Sequence, residues 1–438
     1  MWMNRTPEKH PGKAKEVPMM RNKRIAALVM ALVLMLTALP MAGLAEGTDK
    51  VKLYYYGWTD EESYMTALIN LFNEQNADIE VIPSFVNHDD HNQKVVVMVS
   101  GNADNFDLVS VDSLANVINL ANLGGLMPLK DRIDASGIDM SAYGPIIKET
   151  VYNDEYYGLP YRSSLYSLYY NKDLFDKKGL PYPEKITWDE YLELSRQLTY
   201  EEDGVQYWGG FIPDWLSCPL SMYQKNSNLL DDDMTALTEW MTILNTAINV
   251  DKSHMTFQQQ TAESIDWLKF FCTGTTGMLL NGEWTISMFK DYEAQGIDVP
   301  NWDVTYLPCY DTNSDVVSAG GLSTFIAVGA NTKYPEEAFR FVQFMASEEA
   351  SVYLAGQGVL PAYSSDAVKA SFAEAAGVAG ASTLLSTTIS LEAPNVSGYS
   401  ALSAAYQEEK QLYITEQESL EEFIQNVTDR REEILSDY

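Results

Sequence analysis

The chain has 438 residues, 46% hydrophobic and 21% charged, which is a globular composition too long for one small domain and unlike a disordered or collagenous chain. Its 29 basic and 62 acidic residues leave a net charge of −33. That balance argues against nucleic acid and anionic lipid as partners, because both need a basic footprint.

In chain order, Arg21, Lys23 and Arg24 precede an uncharged apolar run over 25–39. Pro40 breaks the run, and Gly43 and Ala45 place small residues at −3 and −1 of a cut before Glu46. These parts predict a secretory signal peptide within 1–45, with 1–18 as an extension ahead of it. An uncleaved anchor over 25–45 is the alternative, and Pro40 and Gly43 favour cleavage. Beyond residue 45 the chain carries 22 basic and 60 acidic residues, net −38, a charge read as serving solubility.

Residues 51–56 read as a β-branched and aromatic strand. Thr59 and Glu62 have capping-box spacing, and Met65, Leu68, Ile69 and Phe72 follow at helical spacing. A second strand is expected over 79–82 and a third over 107–111, ending in Asp112. Strand–helix–strand alternation predicts an α/β fold with parallel pairing. Between these strands, His88, Asp89, Asp90 and His91 invite a metal reading, but a capped helix start with acids in its first turn accounts for them better. Thr187 caps the helix opened by TWDEY (187–191). Asp231, Asp232 and Asp233 lack the glycine and distal glutamate of an EF-hand loop, so a solvated helix start is expected there. Pro335 begins a helix that turns Ala338, Phe341, Val342 and Met345 inward. Residues 366–392 are rich in Ala, Ser and Thr and weakly patterned, and Leu420, Phe423, Ile424 and Val427 mark a closing amphipathic helix.

The chain contains no P-loop, no dinucleotide-binding glycine motif after a strand, no G-x-S-x-G elbow and no H-E-x-x-H. Four histidines leave little for acid–base work near neutrality. Cys218, Cys272 and Cys309 allow at most one disulfide and form no C-x-x-C pair, so no structural zinc site is expected. No metal and no cofactor is expected.

Several segments, taken in order, resemble the extracellular solute-binding proteins of family 1, the sugar-binding subunits of ABC importers, which include the maltose-binding proteins. They are Phe72-Asn73-Glu74, FDLVSVD (106–112), LGGLMPL (123–129), YGLPY (157–161), LYYNKDLF (168–175), TWDEY, GMLLNGEW (277–284), AGGLSTFIAV (319–328), YPEEAFRFVQFM (334–345) and 358–361. The resemblance spans about residues 50–435. It implies a two-lobed periplasmic-binding-protein-like fold of type II, with a central cleft and multiple inter-lobe crossings. The crossings are expected near 162–164, 307–311 and Pro361. Lobe one would then comprise 50–162 plus 311–361, and lobe two 163–310 plus 362–438.

A site for sugars needs flat aromatic platforms and planar polar groups at the rim. Trp58 and Asp112 each end a strand, where α/β sheets place ligands, although Asp112 could equally cap a helix. By resemblance, Trp284 matches the family's sugar-stacking tryptophan, with core packing as its alternative. Tyr161 and Arg162 lie at the first crossing, where Arg162 either clamps ligand or makes an inter-lobe ion pair. Asp214 and Trp215 match a family loop with an acid and an aromatic, and Tyr399 lies near a C-terminal aromatic. Glu283 adjoins Trp284, but neighbouring side chains point apart.

The resemblance implies a monomeric binding protein that carries a polar solute, carbohydrate above all, to the transmembrane permease subunits of an ABC importer. A secreted carbohydrate hydrolase is the alternative, and an adhesive surface protein a third for which no repeat speaks. Many Gram-positive members carry a lipid-anchor cysteine; no cysteine follows this apolar run. A periplasmic, secreted or permease-held protein is expected.

Overall fold

The computed structural model describes residues 50–437 except 102, 217, 392 and 393; the expected signal peptide lies outside the described residues. Ten strands are described: β1 (Val51–Trp58), β2 (Ile79–Val86), β3 (Leu108–Val111), β4 (Leu159–Asn171), β5 (Tyr200–Glu202), β6 (Val205–Phe211), β7 (Thr276–Gly282), β8 (Trp302–Thr305), β9 (Val317–Val328) and β10 (Thr388–Leu391). Their order is β2-β1-β3-β9-β4-β7-β6-β5, with β8 paired to β4 and β10 to β9.

β1 pairs parallel with β2 and β3, as the alternation predicts, and β6 pairs parallel with β7. β9 runs antiparallel to β3 and β4, so the sheet is mixed. Two hydrophobic centres separate along β4. Leu53, Leu108, Tyr161 and Phe341 belong to one; Leu168, Met278, Trp240 and Phe423 belong to the other. A third cluster is built around Tyr169, Phe289 and Phe372; Tyr169 follows Leu168 on β4 and so faces the opposite side of the strand.

β4 and β9 join the two halves side by side. β4 pairs with β9 through Leu165↔Gly320 and with β7 from Tyr166↔Gly282 onward. A Cβ on Gly320 would sit 1.9 Å from the Ser164 carbonyl oxygen, so only glycine allows the strands to approach here. Ser163 N donates to the Leu360 carbonyl at 2.9 Å and Ala362 N to the Tyr161 carbonyl at 3.1 Å, which brings a third segment to the same place.

The helices follow their local chemistry. Thr187 and Glu190 form a full capping box on Trp188–Leu198, and Ser419 and Glu422 do so on Leu420–Ser436. Pro335 occupies the first turn of Pro335–Met345, and the inward residues named above are buried. The capping box expected from Thr59 and Glu62 does not form. A 3-10 turn, Thr59–Glu61, delays the helix to Glu62–Gln75, and its N-cap Glu61 makes no capping bond. The weakly patterned stretch 366–392 holds two helices, Asp366–Ala376 and Ala381–Ser386, and then β10.

Candidate ligand-binding site

In the first half, Trp58 ends β1 and Asp112 follows β3, so the C-terminal ends of two parallel strands place them together. Trp58 is buried, flanked by the rings of His88 at 4.9 Å and His91 at 5.2 Å. Both histidines lie in the first turn of the helix His88–Ser100. His88 Nε2 is 3.2 Å from Asp112 Oδ2, and Asn92 and Asn116 donate to the same carboxylate at 2.8 and 2.7 Å. Burial pushes the Asp112 carboxyl up, but His88 and the two amides outweigh it and hold the group well below the usual range. Burial likewise opposes charge on His88, yet Asp112, Asp60 and Glu61 leave its pKa raised. Asp112 is therefore a fixed anion whose hydrogen-bond partners surround it, and Ser113, rather than Asp112, caps the next helix. Among the described residues, no three His, Cys, Asp or Glu side chains converge as a metal-binding group.

In the second half, β7 ends at Gly282 and the chain turns into the helix Thr285–Ala294, with Trp284 at its N-cap. The Trp284 indole lies back over Gly282, where an added Cβ would be 2.1 Å from the ring. Tyr166 meets it edge-on at 5.6 Å, and Trp215 lies 6.3 Å away at 41°. Trp284 is half-buried, while Trp215 is 41% exposed. Asp214 accepts from Thr261 Oγ1 at 3.1 Å, and its backbone is tied to Gln260. Tyr399 is buried in the second core, its hydroxyl 3.4 Å from that of Tyr223.

Tyr161, Arg162 and Glu283 go elsewhere. Arg162 Nη1 donates to Glu61 Oε1 at 2.7 Å and to the Tyr64 hydroxyl at 3.0 Å, while Nη2 donates to Glu283 Oε1 at 3.0 Å. The Tyr161 hydroxyl donates to Glu61 Oε2 at 2.5 Å. All are buried. Glu61 belongs to the first half, Glu283 follows β7 of the second, and Arg162 lies on the strand between them. Burial pushes the Glu283 carboxyl up, and the Arg162 charge offsets this only in part. The geometry realises the ion-pair alternative for Arg162, and Glu283 and Trp284 do point apart.

Glu61 and His88 are the components that sequence reasoning did not place here. Glu61 stood hidden beside an apparent capping box, and His88 among acids that read as a helix start. A charged residue on the inward side of its helix was the available signal for Glu61.

Residues 67–380 match the bacterial extracellular solute-binding protein family. Over 219 residues the chain is 26% identical to the multiple sugar-binding protein of Streptococcus mutans, covering 45% of this chain and 49% of that one. The chain thus spans about half the length of that curated relative. An ABC substrate-binding protein of Listeria monocytogenes in complex with cycloalternan superposes with a TM-score of 0.77 at 20% identity, covering 89% of this chain and 99% of that one. A sugar transporter of Rhizobium etli in an open conformation gives 0.73 at 23% identity, covering 87% and 99%. At these identities the likeness establishes the fold, two-lobed and α/β.

Proposed function

Since the chain belongs to the bacterial extracellular solute-binding proteins, we propose that it captures a carbohydrate between its two halves, leaves it intact and delivers it to the transmembrane permease subunits of an ABC importer. The observation that carries this reading is the Trp284–Trp215 pair. Two indoles at 6.3 Å, one half-buried and one 41% exposed, form an apolar platform at the end of a parallel strand pair. A sugar ring offers C–H faces to such a platform, and Asp112 with Asn92 and Asn116 offers hydroxyl partners at the matching strand ends of the other half.

The lobes exchange, in this reading, at 162–165, 320–321 and 360–362, where β4, β9 and the third segment lie together; the second crossing is moved from the expected 307–311 because Leu307, Cys309, Val316 and Ala319 pack in the second core. Ligand contacts from both lobes favour the closed state. The protein acts as a monomer without a cofactor, exported by cleavage after Ala45.

The hydrolase alternative is less well supported. It needs two carboxylates about 5–10 Å apart beside the scissile bond, one of them able to give a proton. Glu61 and Glu283 are both bonded to Arg162 and shielded from solvent, and Asp112 is held ionised.

The test is calorimetry against a panel of neutral sugars, followed by chromatography of the recovered ligand. Stoichiometric binding with unchanged sugar supports the proposal. Conversion to smaller sugars transfers the chain to the hydrolases. N-terminal sequencing of exported protein is expected to begin at Glu46.

A further inference from the structure

Trp215 lies between β6 and the short helix Leu220–Tyr223. Its backbone is held from the side by the helix Tyr399–Ile414. Gln407, Lys410 and Gln411 share one face of that helix. Onto the Asp214 carbonyl, Gln407 Nε2 donates at 2.6 Å, Lys410 Nζ at 2.9 Å and Gln411 Nε2 at 3.1 Å. Lys410 also donates to the Leu216 carbonyl. The two carbonyls flank Trp215, so the ammonium grips the backbone on both sides of the indole.

Lys410 is 1% exposed, and its ammonium lies 5.2 Å from the centre of the Phe257 ring. A buried ammonium is costly, and among the described residues no carboxylate oxygen accepts from it. Burial pushes its pKa down to about 7, against the smaller opposing pull of Asp214 and Cys218. A loop that needed only anchoring would be served by the two glutamines.

We propose that Lys410 is a positioning residue for ligand binding: by tying the carbonyls of Asp214 and Leu216 it fixes the Trp215 indole beside Trp284. This rests on the reading of the two tryptophans as the sugar platform. The same helix reaches the other half, because Ser400 Oγ donates to Asn116 Oδ1 at 3.4 Å and Asn116 donates to Asp112. One helix therefore holds the Trp215 loop and touches the hydrogen-bonding group opposite it.

The test uses the full chain with Lys410→Met, Lys410→Gln and Trp215→Phe. Without ligand, the readouts are iodide quenching and near-ultraviolet circular dichroism, each taken as the difference between a protein and its Trp215→Phe counterpart. Lys410→Met is expected to lose most of the Trp215 dichroism and to raise its quenching, while the far-ultraviolet spectrum stays native. Lys410→Gln, which keeps donors, is expected to fall between and serves if the methionine variant does not fold. With maltotriose and mannotriose as probes, affinity is expected to fall at least tenfold in Lys410→Met and less in Lys410→Gln. An unchanged Trp215 signal in a folded variant overturns the proposal, as does a changed signal with unchanged sugar affinity. If the parent chain binds no sugar, the carbohydrate reading fails by itself, and the Trp215 signal still decides whether Lys410 positions the loop.

Discussion

Trp284 shows how one side chain can be read in two ways until its surroundings are known. Its ring rests on Gly282 and leans on Tyr166, yet it stays half-buried. An indole face offered to a sugar is worth about 1–3 kcal/mol after desolvation. Trp284→Ala is therefore expected to weaken sugar binding roughly 5- to 150-fold by calorimetry. Its denaturant midpoint should move less than the fall expected of a core tryptophan, whose truncation costs about 3–5 kcal/mol. Trp58 differs, being buried between two imidazoles. His88 gives a pH prediction. Its folded pKa is raised, so its pairing with Asp112 stabilises the fold fully below the ordinary histidine value of about 6.5 and is lost as pH rises through the folded value. Asp112→Asn removes the largest influence opposing burial and leaves only the weaker pull of Asp60 and Glu61 against it, so the His88 pKa should drop. Proton–carbon NMR titration of the imidazole measures it; an unmoved pKa would refute the pairing.

Among the elements, β4 has the most to do. Its first part closes one core, its last part another, and Arg162 between them binds an acid from each half. Removing one member of a buried ion pair leaves the other charged and unpaired, at about 3–5 kcal/mol. Arg162→Met leaves two such carboxylates, so its urea midpoint at pH 7 is expected to fall by at least that equivalent. The loss should shrink in mild acid, because burial pushes the Glu283 carboxyl up and it takes up a proton there. An equal loss at pH 5 and pH 7 would contradict the triad. β9 lies against β4 with Gly320 at the tightest approach. Gly320→Ala should destabilise the chain as well, because its Cβ meets backbone, which cannot swing aside. Several elements were legible from local pattern: the Thr187 cap, Pro335 at a helix start and the three early strands. The Thr59 capping box did not form: residues 59–61 make a 3-10 turn, and Glu61 bonds Arg162, 101 residues away in sequence.

At the scale of the molecule, the two halves touch beyond the strands: Ser63 Oγ donates to Asp291 Oδ2 at 3.2 Å, and Ser400 to Asn116. A sugar that bonds both halves should favour closure, so small-angle X-ray scattering is expected to show a smaller radius of gyration on adding a bound saccharide, and no change on adding one that calorimetry shows does not bind. The sequence by itself determined the class of the fold, its early parallel unit, the helix starts at Thr187 and Pro335 and, through ordered segments such as GMLLNGEW and YPEEAFRFVQFM, the family. Those features depend on neighbours a few residues apart, and short-range periodicity, caps and motifs record them. Only the tertiary structure decided how polar and charged side chains are used. Arg162 pairs with Glu61 and Glu283, Trp58 packs between His88 and His91, and Lys410 holds the loop of Trp215 across 195 residues or so of chain. The physical reason is burial: a charge in water is indifferent to its partners, whereas a charge removed from water must find them, and which ones are in reach is set by how distant strands and helices come together.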